Sequence, residues 1–317
     1  MKITSRILFA LALACPAGAQ FNGHNLLGDY GLKAGSQAPP GFYAGYLTTR
    51  YSTDSLRGPS GGSLPGSGER SLEIYAHMGV VNWVLDKKVL GANIGGMAAF
   101  PVANLAIDFP RLDFGPQEFG YADTYVQPIN LGWRTSRADA IMGYAFSAPN
   151  GRYEPGEDGN RGRGFWSHEF TVGTTVYLNE AKTWHVATTG FYETHTRRKG
   201  DDVRVGDTLT LEGGLGKTLM QIINVGAAYY AHWKVTTDDV PGIDELPPSV
   251  GGIVQDIIGT KHRVYGVGPE FSMFLPTKME GNSVESGLNF VVRYFWETGA
   301  INKTEGGSFL FSVMYLF

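Results

Sequence analysis

Ser167 and His168 are the first residues of this chain to suggest chemistry, because a serine becomes a nucleophile when a base lies within hydrogen-bond reach. They are neighbours in a strand-like segment, so their side chains face opposite ways. His77 and His232 fall on faces that carry other polar residues, while His24, His185, His195 and His262 lie near segment ends or outside segments and read as solvated. A cross-strand Ser/His pair would need a register that the sequence does not supply. Gly216-Lys217-Thr218 ends like a phosphate-binding loop, but Leu211 stands where the first glycine is required. Glu154, Glu157, Asp158 and Asn160 offer oxygen ligands for a hard cation, yet read more simply as a solvated acidic loop, so no metal is assigned. Asn302-Lys303-Thr304 reads as an ordinary loop tripeptide.

Cys15 is the single cysteine, and Ala12 stands where a lipidation signal prefers leucine. Lys2 and Arg6 precede an apolar run at 7–14, and Ala17-Gly18-Ala19 offers a small-x-small cleavage site. Residues 1–19 therefore read as a secretory signal peptide, too short to span a membrane. Cleavage there discards the cysteine and, with it, thiol chemistry. The formal net charge of −4 becomes −6 on loss of Lys2 and Arg6, which gives no general attraction for nucleic acid.

The elements that must position the remaining polar residues are strands. At the carboxyl end, Phe309, Phe311, Val313, Tyr315 and Phe317 share one face of a period-2 segment. As a free edge in water, so apolar a strand invites aggregation; in a bilayer, closing a barrel, it has lipid against one face and partners on both edges. This ending resembles the C-terminal assembly signature of bacterial outer-membrane barrels, with Phe317 last. Twelve strand-like segments recur, near 41–53, 70–84, 88–101, 126–135, 138–148, 164–178, 182–196, 207–218, 221–236, 261–275, 283–297 and 307–317. Long connections (54–69, 102–125, 149–163, 197–206, 237–260, 298–306) alternate with short ones (85–87, 136–137, 179–181, 219–220, 276–282). That asymmetry suits a transmembrane antiparallel β-barrel with long extracellular loops and short periplasmic turns. No apolar stretch reaches the ~18 residues of a spanning helix. The 44 glycines and 13% aromatics fit tight turns and aromatic girdles, where Trp184, Trp233 and Trp296 belong. Residues 20–40 then form a periplasmic or lumen-inserted segment ahead of a barrel at 41–317.

A charge on the lipid face at mid-bilayer costs roughly 2–4 kcal/mol. The polar alternate positions are therefore assigned to the lumen: Glu73, His77, Asn93, Glu169, Glu193, Glu212, Asn224, His232, Lys234, Glu270, Glu285 and Arg293. Such a lining either fills a small barrel with paired charges or borders a permeation path. Tyr43, Tyr125, Tyr144, Phe146, Tyr153, Phe165 and Trp166 lie near the ends of strands and loops, where they would give a solute an aromatic entrance. Arg197-Arg198-Lys199 has the charge to meet lipopolysaccharide phosphates.

Several stretches resemble, in order, the outer-membrane family named for the meta-pathway of phenol degradation, distant relatives of fatty-acid and aromatic-hydrocarbon transporters. They are Ala38-Pro39-Pro40-Gly41-Phe42-Tyr43, Tyr51-Ser52-Thr53-Asp54, Leu131-Gly132-Trp133-Arg134 and the run from Gly143-Tyr144-Ala145-Phe146 through Ser147-Ala148-Pro149-Asn150-Gly151-Arg152-Tyr153. Gly164-Phe165-Trp166, Tyr177-Leu178-Asn179, Tyr265-Gly266-Val267-Gly268-Pro269-Glu270 and the aromatic end complete the set. The resemblance implies an outer-membrane barrel admitting small hydrophobic or aromatic compounds, with no catalytic residue and no cofactor. Its implied partners are outer-membrane lipid and lipopolysaccharide, the barrel assembly machinery and the solute. Fatty-acid transporters carry a sizeable N-terminal hatch, whereas 20–40 here is enough only for a short peptide constriction. A closed structural or adhesin-type barrel and a phospholipase-like hydrolase are the alternatives.

Overall fold

The computed structural model describes residues 23–63, 71–109, 112–114, 119–155, 157, 160–242, 261–281 and 283–317. The signal peptide with Cys15, and most of the connection at 237–260, lie outside the described residues.

Twelve strands close into one antiparallel ring: β1 (Gly41–Thr53), β2 (Ser71–Val89), β3 (Ala92–Phe109), β6 (Thr124–Arg134), β7 (Ala138–Ala148), β8 (Ser167–Tyr177), β9 (Trp184–His195), β10 (Thr208–Leu219), β11 (Ile223–Lys234), β12 (Arg263–Glu280), β13 (Ser283–Ile301) and β14 (Gly307–Leu316). Two short pieces, β4 (Leu112–Phe114) and β5 (Gly120–Tyr121), pair only with β3. The ring closes where β1 meets β14, from Tyr43↔Leu316 to Ser52↔Gly307. The terminal strand thus has both edges paired, and the Phe317 N–H donates to the Phe42 carbonyl at 3.0 Å. All-β architecture and the strand number agree with the sequence reading.

Three boundaries shift. The β2–β3 turn sits at Leu90-Gly91, not 85–87, because those two residues take the left-handed φ values (52° and 80°) of a tight hairpin turn. β12 likewise extends into the expected turn at 276–282, as far as Glu280, and the chain turns at Gly281 before β13 begins at Ser283. The stretch expected as a loop at 102–125 supplies the top of β3 together with β4 and β5.

The polarity of the molecule is inverted relative to a soluble protein. Phe170, Val172, Phe271 and Trp296 are exposed on the outer wall, while Glu169, Glu193, Glu212, His185 and Arg293 are buried inside. Strand tilt follows from the register. One row of cross-strand neighbours runs Trp184, Lys217, Val225, Phe271, Val292, Phe311, Thr48, His77, Val102, Tyr121. It starts at the short-turn rim and ends in β5, among the long connections, as tilted strands require.

That tilt corrects two assignments. Ile74, Ala76, Met78, Val80 and Asn82 border the lumen, so Glu73 and His77, at odd positions of β2, project from the outer wall. Glu73 there takes Arg50 Nη2 at 2.7 Å, and His77 Nδ1 meets the hydroxyls of Tyr46 and, at 2.9 Å, Thr48. The tilt lifts this part of β2 toward the outer interface, where an outward charge costs only ~0–1 kcal/mol. The rule that sends charge inward holds at mid-bilayer, not at this height.

Candidate functional site

Residues 23–40 lie inside the barrel. A chain inside a lumen has no ladder partner, so its N–H and C=O groups need others; wall carboxylates supply them. The His24 N–H donates to Glu193 Oε1 at 2.5 Å, Gly28 and Tyr30 N–H to the two oxygens of Glu212 at 2.8 Å each, and Leu32 N–H to Glu270 Oε2 at 2.9 Å. Arg293 donates to Glu270 Oε2 at 2.7 Å and to the Asp29 carbonyl at 2.5 Å. Lower down, Ser36 donates to Asp139 at 2.7 Å and Arg134 to the Gln37 carbonyl at 2.5 Å. The Tyr43 hydroxyl donates to the Pro39 carbonyl at 2.7 Å where the insert joins β1. Close approach depends on glycine: a Cβ on Gly31 would fall 1.8 Å from Glu270 Oε2, and one on Gly35 2.0 Å from the Thr174 backbone.

The insert does not fill the lumen. Its upper part, 23–32, packs on β8 to β13 and leaves a cavity of about 500 Å³ against β1, β2, β3 and β14. One wall is apolar, with Leu47, Ile74, Met78, Val80, Met97 and Met314. The other carries Asn25, Leu26 and Tyr30 of the insert with Tyr125 and Phe191, and Tyr153, Arg161 and Arg163 border it at the long-loop end. A volume of this size suits a small organic molecule.

Most sequence-assigned lumen residues do face inward. Glu169, Glu193, Glu212, Glu270, Arg293, His232 and Lys234 are buried, and Asn93 and Asn224 share their strands' inward faces. Glu169, however, is the single one of these that borders the cavity. The others anchor the insert or one another: Lys234 pairs with Asp238, and Asn224 with Thr218 and Ser272. Glu285 sits at the short-turn rim, paired with Lys278, where β12 and β13 run beyond their neighbours.

The seven aromatic residues do not form one entrance. Tyr125 and Tyr153 border the cavity. Phe165 is buried edge-on against the rings of His24 and His195, each 5.2 Å away. Tyr43 is inside at the short-turn rim. Tyr144, Phe146 and Trp166 are on the outer wall, in ring contact with each other and with His168 and Phe170. Their strand positions have outward parity, which the sequence showed but loop-end proximity overrode.

The histidines read as solvated are in the lumen instead. His185 and His195 are buried on β9, and His262 meets His232 with Nε2 atoms 3.2 Å apart. Burial, with Lys303 and His232 beside it, pushes His262 well below the usual imidazole range. Burial also pushes Lys303 down to about 8. Of the basic trio expected at lipopolysaccharide, Arg198 is buried against Asp201 and Arg197 is paired with Asp239 at 2.5 Å.

His24 is the residue that sequence reasoning missed most. Its Nδ1 lies 2.5 Å from Ser167 Oγ and its Nε2 2.8 Å from Asp123 Oδ2. These are the three groups of a serine hydrolase relay, at relay distances. Ser167 is only 2% exposed and does not border the cavity, so no substrate carbonyl reaches its oxygen. The arrangement anchors the top of the insert. Burial would raise Asp123, but its bonds from His24, Arg163 N–H and Gly151 N–H hold its carboxyl below the usual range. Nothing local flags His24; a segment with glycines at 23, 28, 31 and 35 ahead of the first strand was the available signal.

The family model described as "Putative MetA-pathway of phenol degradation" matches residues 53–313. No curated protein matches the chain by sequence. Among solved structures, an outer membrane channel from Pseudomonas putida F1 is 12% identical, with a TM-score of 0.71 over 93% of this chain and 100% of that one. At that identity the likeness concerns the fold. The β domain of the Bordetella autotransporter BrkA (12% identical, TM-score 0.42, 87% of this chain and 99% of that one) overlaps only loosely. A Pseudomonas aeruginosa FadL homologue does so too (10%, 0.36, 87% and 90%).

Proposed function

This chain belongs to the phenol-degradation family of outer-membrane barrels, and from that premise we propose that it is a passive channel for uptake of small hydrophobic or aromatic compounds. The observation that carries the reading is the two-sided lumen. The insert ties up much of the polar wall and leaves a 500 Å³ cavity whose remaining wall is mostly aliphatic and methionine-rich, with Asn82, Asn104 and Ser312 as its polar members. Methionine adapts its shape to varied apolar solutes, while Tyr30 and Tyr125 offer edge or offset contacts to a ring. Water gains little from such a wall, so an apolar solute partitions into it. Lipid and lipopolysaccharide are the surroundings this reading requires, and the assembly machinery its route to the membrane.

The mature chain, cleaved after Ala19, has no cysteine, so a single introduced thiol reports cleanly. Met78→Cys protein in liposomes, before and after reaction with a bulky thiol reagent, should lose uptake of toluene-sized aromatics on modification. Uptake unchanged by a group filling the cavity would sink the proposal. A second reading, a closed structural barrel, draws on the many bonds between insert and wall. It predicts no uptake above protein-free liposomes in either state.

A further inference from the structure

We infer that the cavity takes amphiphilic organic anions, hydrophobic molecules bearing one carboxylate, with the carboxylate held at Arg161 and Arg163. The inference deepens the uptake reading and rests on it.

Both arginines, from the long connection at 149–163, border the same cavity as its apolar residues. The backbone at both positions is tied down. Arg161 N–H donates to the Arg152 carbonyl at 3.0 Å, Arg163 N–H to Asp123 Oδ2 at 2.7 Å and Gly151 N–H to Asp123 Oδ1 at 2.9 Å. Space is made for the Arg161 arm by Gly120, where a Cβ would come 3.2 Å from its Cγ. A pre-organised cation costs little ordering on binding.

Most of the charges on this cavity, the two arginines included, already have partners. Asp123 takes three donors, counting His24. Glu169 accepts from Asn25 Nδ2 and the Tyr125 hydroxyl, each at 3.0 Å. Arg198 is held by Asp201. Arg163 faces Glu193 and Asp123 and is not unpaired. A guanidinium has five N–H donors, so it can serve a wall carboxylate and a ligand together. Bordered by aliphatic side chains, that second contact forms away from bulk water, where charge-assisted bonds are strongest. A neutral solute of the same shape gains the apolar wall but not this contact.

The test compares 4-phenylbutyrate with 4-phenyl-1-butanol by equilibrium dialysis against the full barrel in lipid nanodiscs, empty nanodiscs being subtracted. The acid should bind about tenfold tighter than the alcohol, and added salt should narrow the gap. Arg161→Ala/Arg163→Ala, checked for the heat-modifiable folded form, should lose the preference and keep alcohol binding. Equal binding of the two compounds to the unaltered protein overturns the inference and leaves the uptake reading standing. So does an acid preference that survives the double substitution in folded protein. Binding of neither compound, with no effect from blocking Met78→Cys, removes the uptake reading itself. The comparison on unaltered protein stands whether or not the double variant folds.

Discussion

Glu212 is the post on which the middle of the insert hangs, and removing it should release that segment without opening the barrel. Its two oxygens accept the N–H groups of Gly28 and Tyr30 at 2.8 Å, and its side chain is fully buried. A buried amide left without its acceptor costs about 1–3 kcal/mol. Glu212→Ala leaves two lumen amides to find water, so a loss of about 3 kcal/mol in docking lies in the lower half of the range for two. That corresponds to roughly a hundredfold more undocked insert. Glu212→Gln keeps one carbonyl acceptor and should fall between. The assay is hydrogen exchange followed by mass spectrometry on peptides covering 23–40, with β8 to β11 amides as internal reference. Protection should fall by about two orders of magnitude at 28–30 and stay unchanged in the strands. Unaltered protection at Gly28 and Tyr30 in Glu212→Ala would refute the claim that this carboxylate holds the insert.

Gly35→Val should prevent docking of the lower insert, since a Cβ there would sit 2.0 Å from the Thr174 backbone; loss of protection at 33–37 with normal heat-modifiable barrel checks it. Deleting Phe317 should reduce folded protein in outer-membrane fractions far more than its 63% exposure implies, because its N–H helps close β1 onto the chain end; unchanged yield would dismiss that role. Burial pushes His24 below the usual imidazole range when it is docked. An undocked His24 gains its proton below pH ~6.5, so anchoring is complete above that pH and weakens as pH falls. Exchange at 23–28, corrected for intrinsic rates, should speed up between pH 7.5 and 5.5; pH-independent protection would mean that Asp123 and Glu193 keep His24 charged.

What the sequence determined by itself is the wall. Period-2 alternation is a local property, so the inward set on β8 to β13, the strand number and the closure at Phe317 were all legible. β1 matched its expected limits of 41–53 and β7 its limits of 138–148. Tertiary structure decided height and contents. Whether Glu73 faces lipid depends on how far strand tilt carries β2 toward the interface, and tilt is a property of the closed ring rather than of any strand. The insert's bonds join residues far apart in the chain: 169 positions between His24 and Glu193, 184 between Gly28 and Glu212, 238 between Leu32 and Glu270. No local pattern encodes such pairings, because each depends on where the ring places one inward side chain against a chain with no ladder of its own. The cavity is the space left over from that packing, and so only the folded chain shows it.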